Sequence, residues 1–251
     1  MHMKHNRIAT DVEEIKMKIR MRIWEIMERK NIAMFPRPVY GRIPNFKMNE
    51  IAAKRLIKSD VFQKADVIFV CPDSPQRPVR EAVLKEDKIL IMATPKLRKG
   101  FLLLKPKYVP RGFEMKAATI RGAFKYGKLV IKPPYSIDLK VMGSVAVTPD
   151  GARLGKGGGF SDLEYAILKE LNLIDEEVPI VTTVHDIQIV KYIPMTRHDV
   201  PLDYIFTPTR SIRTNTPYTK PKGIYVEELD EMKIKEIPIL REIFRYKFKA
   251  K

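Results

Sequence analysis

Apolar positions near the start of the chain recur with helical spacing. Val12, Ile15, Ile19, Ile23 and Ile26 predict an amphipathic helix over about 11–30. Thr10 followed by Glu13 has the form of a capping box at its start. Lys16 and Arg20, four residues apart, share one face of that helix. The next stretch is broken by Pro36, Pro38 and Pro44, which block helix and central strand and leave a structured loop. Asn49 is placed to cap a short helix reaching about Ser59. Beyond it the pattern alternates. Short β-branched apolar runs predict strands at Ala65–Cys71, Lys88–Ala93, Ile137–Val147, Pro179–Val184, Tyr204–Thr207 and Gly223–Glu227. Helical patterns fall between or after them at about 76–86, 112–126, 162–171 and 229–246. This alternation, with no repeat or compositional break, predicts one α/β domain over 1–251 with a mainly parallel sheet.

The composition agrees with a folded core and adds a charge question. The 251 residues are 45% hydrophobic and 31% charged. No apolar run approaches the length of a membrane span, and no apolar signal core follows Met1-His2-Met3-Lys4. Cys71 is the only cysteine, so an internal disulfide and a Cys-rich zinc site are excluded, and a reducing, cytoplasmic home is expected. The net charge is +17. Eleven basic residues lie between Lys96 and Lys132, with Glu114 the only acid among them. A second basic stretch, Lys233–Lys251, interleaves Phe244, Tyr246 and Phe248. Such an excess suits nucleic acid or a polyanionic small ligand, and also a plainly solvated surface.

The most informative segment is Gly151-Ala152-Arg153-Leu154-Gly155-Lys156-Gly157-Gly158-Gly159-Phe160-Ser161-Asp162, between a predicted strand and a predicted helix. Clustered glycines let backbone N–H groups approach an anion, the helix start adds free N–H groups, and Arg153 and Lys156 add charge. Phosphate binding fits this chemistry better than a plain flexible connection does. The segment is neither a P-loop nor a dinucleotide fingerprint. Asp150 stands where the P-loop needs its first glycine, Gly157 where it needs Ser or Thr, and Phe160 where the fingerprint needs its last glycine.

Arg-Leu-Gly-x-Gly-x-Gly-aromatic-x-Asp resembles the signature loop of 5-formyltetrahydrofolate cyclo-ligase, also called methenyltetrahydrofolate synthetase. The resemblance runs along nearly the whole chain. It is most specific to the synthetase domain-containing subgroup at Phe35–Phe46, Gly159–Tyr165, Thr183–Gln188 and Asp203–Arg210. It implies a three-layer α/β/α sandwich of the class shared with ribose-5-phosphate isomerase and CoA transferases. It further implies conversion of 5-formyltetrahydrofolate and ATP to the 5,10-methenyl form, ADP and phosphate, with Mg as cofactor. On this likeness ATP would be held by Lys16, Arg20, Arg153, Leu154, Gly155, Lys156, Gly157, Gly158, Gly159 and Phe160. Arg153 and Lys156 would carry the catalytic charge, and Asp162 with Asp199 the metal. Tyr40 and Phe46, in the Pro-rich loop, are the aromatic candidates for packing on a pterin ring. Animal members also carry an RNA-recognition module; no RNP1-like aromatic strand is found here.

Two departures stand out. The family places a Glu near the start of the helix after the first strand to engage the folate, whereas Asp73–Arg80 contains none and Glu81 lies several residues on. One of the two aromatics expected before the loop Asp is replaced by Ser161. A protein that keeps the fold but only binds nucleotide or RNA, through the basic 96–132 and C-terminal segments, is the competing expectation. His185-Asp186 and His198-Asp199 are each too local to specify a metal or acid–base pair. Cys71 reads as a buried small hydrophobe.

Overall fold

The apolar runs become the centre of an eight-stranded sheet. The computed structural model describes residues 2–249, and the side chains of residues 11–245. Its elements are α1 (His2–Arg29), α2 (Asn49–Ile57), α3 (Asp60–Gln63), β1 (Val67–Val70), α4 (Arg77–Lys85), β2 (Ile89–Ala93), β3 (Phe101–Leu104), α5 (Glu114–Ala117), α6 (Ile120–Tyr126) and β4 (Lys128–Val130). The second half adds β5 (Leu139–Val141), β6 (Ala146–Val147), β7 (Arg153–Leu154), α7 (Phe160–Glu170), β8 (Ile180–Thr183), β9 (Tyr204–Phe206), β10 (Ser211–Arg213), α8 (Glu231–Glu236) and α9 (Pro238–Lys249). The strand order is β10-β9-β8-β5-β1-β2-β3-β4. The run from β9 to β2 is parallel, and β10, β3 and β4 add antiparallel edges.

Strand alternation sorts side chains between two cores. Ile68 and Val70 of β1, with Leu139 and Val141 of β5, face a cluster that includes Leu56, Val79, Val83 and Ala123 from α2, α4 and α6. Phe69 and Cys71 face the opposite cluster, with Tyr165, Ile167 and Leu168 of α7 and Leu240 and Phe244 of α9. Helices therefore cover both faces, in the expected three-layer α/β/α arrangement. A third cluster joins Ile23, Trp24 and Met27 of α1 to Val39 and Phe46 of the Pro-rich loop and to Ala146 and Leu154 of β6 and β7.

Several local expectations are corrected. The first helix begins at His2, so Thr10 lies within it and not at its start, and its side chain lies outside the described ones. Its inward face is not the full apolar stripe. Ile15 is 41% exposed, while Lys16, Arg20, Ile23, Trp24 and Met27 are buried. Asn49 is the first residue of α2, and Met48, in the left-handed region at φ 66°, precedes it. The segment 112–126 divides into α5 and α6 because Thr119 Oγ1 accepts the N–H of Gly122 and starts a new helix. Ile137–Val147 is two strands: β5 lies in the main sheet, and β6 pairs with β7 in a separate hairpin. Gly223–Glu227 forms no strand. Ile224 packs on the α7–α9 core instead, and β10 already occupies that sheet edge. The last helix breaks before Pro238, which pushes Ile237 out of helical geometry (ψ 111°). The side chains of Tyr246 and Phe248, and residues Ala250 and Lys251, lie outside the described residues.

Candidate functional site

The β6–β7 hairpin delivers the glycine-rich loop to the carboxyl ends of the parallel strands. In open α/β sheets that end carries the ligand crevice, beside the point where strand order reverses. Here β1 is followed by β2 on one side and the chain later returns to β5 on the other. The hairpin turn needs its glycine: Gly151 has φ +94°, and a Cβ there would sit 2.5 Å from the Leu202 carbonyl.

Arg153 turns inward from β7 and clasps the loop. Its Nη1 donates to the Gly143 carbonyl at 2.9 Å, and its Nη2 to Asp162 Oδ1 at 2.5 Å. Burial disfavours the guanidinium charge, but Asp162 outweighs it and holds the Arg153 pKa above its ordinary value. Asp162 Oδ1 also accepts the Val200 N–H at 3.0 Å. Thus one buried pair ties together the end of β5, the start of α7 and the segment before β9.

Two further cations reach the loop from different directions, and a third stands on it. Arg20 lies beneath it, donating from Nε to the Gly155 carbonyl at 2.9 Å and from Nη1 to Glu13 at 2.6 Å. Lys233, from α8, donates to the Gly158 carbonyl at 3.1 Å and sits over the Phe160 ring. Lys156 is the exposed one, with 44% of its side chain accessible; it reaches Asp73 Oδ1 at 2.8 Å. No protein acceptor among the described residues engages the N–H groups of Lys156, Gly157, Gly158 or Gly159. Gly157 and Gly159, at φ +102° and +66°, adopt conformations that other residues resist.

In front of the loop is a cleft of about 480 Å³. It is walled by Asp73 and Ser74 after β1, Thr94–Lys96 after β2, Gly41–Ile43 of the Pro-rich loop, and the glycine loop itself. Of the residues singled out from sequence, Arg153, Gly155, Lys156, Gly158, Gly159, Phe160 and Asp162 line it. Leu154 is buried in the α1 core, and Gly157 does not line the cleft; a Cβ there would lie 3.6 Å from Arg20 Cζ. Phe46 is fully buried in the same core, edge-on to His185, and does not face the cleft. Tyr40 packs edge-on to Trp24, with ring centroids 6.2 Å apart; its neighbours Gly41 and Arg42 reach the cleft.

Lys16 and Asp199 form a buried pair behind the loop, at 2.5 Å. Asp199 Oδ2 also accepts from the Thr196 N–H and hydroxyl. Burial works against the Asp199 charge, but Lys16 and then Thr196 outweigh it and hold the carboxyl below its ordinary pKa. The unfolded state therefore binds this proton more readily. The stability gained is complete above the unfolded value, about 4, and is lost as pH falls through the lowered folded value. Asp199→Asn, which leaves Lys16 buried and unpaired, is expected to cost about 3 kcal/mol at neutral pH. The gap in Tm between variant and parent should narrow as pH falls below about 4; a gap constant with pH would contradict the pairing.

The remaining histidine motifs are structural. His185 Nδ1 accepts the Ile187 N–H, and Asp186 is held by Thr207, Thr209 and Arg210. His198 pairs with Glu228 at 2.6 Å. Cys71 is buried, and desolvation pushes its thiol up to about 12, so it is no nucleophile. Sequence reasoning missed Asp73, Glu164 and Lys233 at the site. Glu81, its nearest candidate for the absent family Glu, pairs with Lys85 along α4 and does not line the cleft.

A model of the 5-formyltetrahydrofolate cyclo-ligase family matches residues 12–208, which span the clasp, the glycine loop and every strand of the parallel core. The chain belongs to this family. It is 41% identical over 234 residues to the human methenyltetrahydrofolate synthase domain-containing protein, covering 91% of this chain and 61% of that one. The zebrafish counterpart is 38% identical over 236 residues, covering 92% and 62%. The chain thus spans about three fifths of the length of these curated relatives. The NMR structure of Aquifex aeolicus 5,10-methenyltetrahydrofolate synthetase shares the fold, with a TM-score of 0.52 at 18% identity over 86% of this chain and 100% of that one. The family match ends at residue 208, so Lys233, which braces the loop from α8, lies outside it.

Among the described residues no group of three or more His, Cys, Asp or Glu converges as a metal site. Magnesium seldom needs one: it is commonly held by one or two carboxylates together with substrate phosphates and water. Asp162 fits that role. It lines the cleft, and among the described residues nothing bonds to its Oδ2, while Oδ1 is occupied by Arg153 and Val200. Asp199 does not line the cleft and is committed to Lys16.

Proposed function

We propose that this cleft binds ATP and a 5-formylated reduced folate and converts the folate to its 5,10-methenyl form, releasing ADP and phosphate. The observation that carries the reading is the Arg153–Asp162 clasp, which presents a loop of unengaged N–H groups and one exposed cation to a cleft of about 480 Å³. That volume is within the ordinary range for a small-molecule site. In the reaction the formyl oxygen attacks the γ-phosphorus and ADP departs. N10 of the folate then attacks the activated carbon, loses its proton, and expels phosphate. Phosphoryl transfer of this kind needs positioning and charge neutralisation, not a protein nucleophile, which suits a site whose one cysteine is inert. Lys156 and the loop N–H groups neutralise the phosphate oxygens. Arg153, whose Nη groups are already committed to Gly143 and Asp162, positions the loop. Arg20 and Lys16 support it from beneath and behind. Magnesium, held by Asp162 and the phosphates, would supply further charge neutralisation. The test is whether ADP formation depends on 5-formyltetrahydrofolate.

A second, additional role is proposed from one observation. Of the eleven cations between Lys96 and Lys132 only Lys96 lines the cleft. The others are exposed or half-buried, and among the described residues Arg98 alone of them pairs with a carboxylate, Glu236. Lys99, Lys105, Lys107, Lys116 and Lys125 lie over aromatic rings. Exposed cations without carboxylate partners are suited to a polyanion. Single-stranded RNA is expected to bind with an affinity that falls steeply and linearly in log salt. Absence of binding at low salt, by fluorescence anisotropy, would remove this role. No helix among the described residues is long and apolar enough to cross a membrane.

A further inference from the structure

At the floor of the cleft and buried beneath it are two charged residues that the phosphate chemistry leaves unused. Lys140 lies at the centre of β5, between Phe69 of β1 and Ile180 of β8 in the sheet. Its neighbours Leu139 and Val141 face the α2–α4 core, so Lys140 faces α7. It is 0% exposed, and its Nζ has no hydrogen-bond partner among the described residues. Nζ sits 3.6 Å from the Phe69 ring centroid and 3.6 Å from Glu164 Oε2. Glu164, on α7, is 4% exposed and lines the cleft. Its only side-chain hydrogen bond among the described residues is a weak one from the Cys71 thiol, at 3.6 Å.

A central strand of an apolar sheet gains nothing in stability from a lysine without a hydrogen bond. Burying an ammonium costs several kcal/mol unless it is well paired, and 3.6 Å with no hydrogen bond is not close pairing. What Lys140 does supply is a positive charge behind a carboxylate whose open side faces the cleft. A carboxylate offers two acceptor oxygens in one plane. Its natural counterpart is a planar ring with two adjacent N–H donors, which it grips by two parallel, charge-assisted hydrogen bonds.

We propose that Glu164 is the residue that recognises the ring of the substrate, taking adjacent ring N–H and exocyclic amino groups, and that Lys140 is the positioning residue that aims its carboxylate. This rests on the folate reading above, since a pterin ring carries that donor pair. It supplies from α7 the acid that the segment after β1 lacks. The groups facing Glu164 are Lys140 from β5, Cys71 and Asp73 at the end of β1 and Lys156 from the glycine loop, with Ser161 of its own helix bonded to Cys71. Burial, the largest influence, raises the Glu164 pKa, and Asp73 adds to this; Lys140 chiefly, and Lys156, oppose it.

The test is calorimetric titration with 5-formyltetrahydrofolate and with its N3-methyl analogue, which lacks the ring N–H. The parent should bind the first at least tenfold more tightly than the second. Glu164→Gln should weaken binding of 5-formyltetrahydrofolate about 10- to 100-fold, the range of a charge-assisted pair, and abolish the discrimination, with ATP binding unchanged. Lys140→Met should weaken folate binding and reduce the discrimination against the N3-methyl analogue with ATP binding unchanged, and Lys140→Arg should restore part of both, a pattern that a purely structural lysine would not give. If Glu164→Gln alone does not fold, the Lys140→Met/Glu164→Gln double variant, which buries no charge, carries the same comparison. A parent that binds folate, with Glu164→Gln equal to it, overturns this assignment alone. A parent that binds ATP but no folate overturns the folate reading along with it.

Discussion

Replacing Arg153 by methionine is expected to abolish turnover and to lower the unfolding free energy by about 3–5 kcal/mol, the usual cost of breaking a buried ion pair from one side. Arg153 is 2% exposed, and both its Nη groups are committed. Its loss strands the Asp162 carboxylate and the Gly143 carbonyl together, in a place with no room to rearrange. A Cβ at Gly143 would already lie 3.0 Å from Asp73 and 3.1 Å from Ile43. The glycine loop would then lose its tie to β5 and the start of α7. Arg153→Lys should recover only part of the loss, since one ammonium lacks the planar fork that reaches both partners. Urea unfolding checks the stability, with the midpoint falling and the slope unchanged. An unchanged midpoint would show that the clasp is not what holds the loop.

Lys156→Ala should behave in the opposite way. Its side chain is 44% exposed, and its one partner, Asp73, makes a pair of the kind that contributes about 0–1 kcal/mol. Thermal stability should scarcely move. Turnover should fall about 10²–10³-fold, as expected when one preorganised charge at a developing anion is removed, and the loss should fall mainly on ATP. The two variants, three residues apart in one loop, thus separate holding the loop from using it. If Lys156→Ala retained activity, the exposed cation would have no part in the chemistry.

The parts of this fold that were legible in the sequence are those where one local rule decides. Val67–Val70, Ile89–Ala93 and Ile180–Thr183 are buried on both faces, so their apolar runs read directly as strands. The glycine loop was legible because little else requires so many glycines beside two cations. Tertiary context decided the rest. Phe101–Leu104 has no β-branched residue and becomes a strand by pairing with β2 and β4. Gly223–Glu227 has the residues of a strand and no neighbour to pair with. On α1 the isoleucines suggested an inward face, but Lys16 and Arg20 turn inward because Asp199 and the Gly155 carbonyl await them. Phe46 was a candidate for the cleft and is core, since a loop is pinned by its largest apolar side chain. Glu164 and Lys140 gave no local signal. They come from α7 and β5, and only packing brings them together.

The proposed reaction couples ATP cleavage to closure of a formyl group, and one assay reads both. ADP is measured while the absorbance of the methenyl product is followed, with ATP, magnesium and 5-formyltetrahydrofolate supplied together and with each omitted in turn. The expected result is one ADP for each methenyl product formed, and neither product when any component is missing. ADP formed without the folate, or no product with all three present, would contradict the proposed reaction.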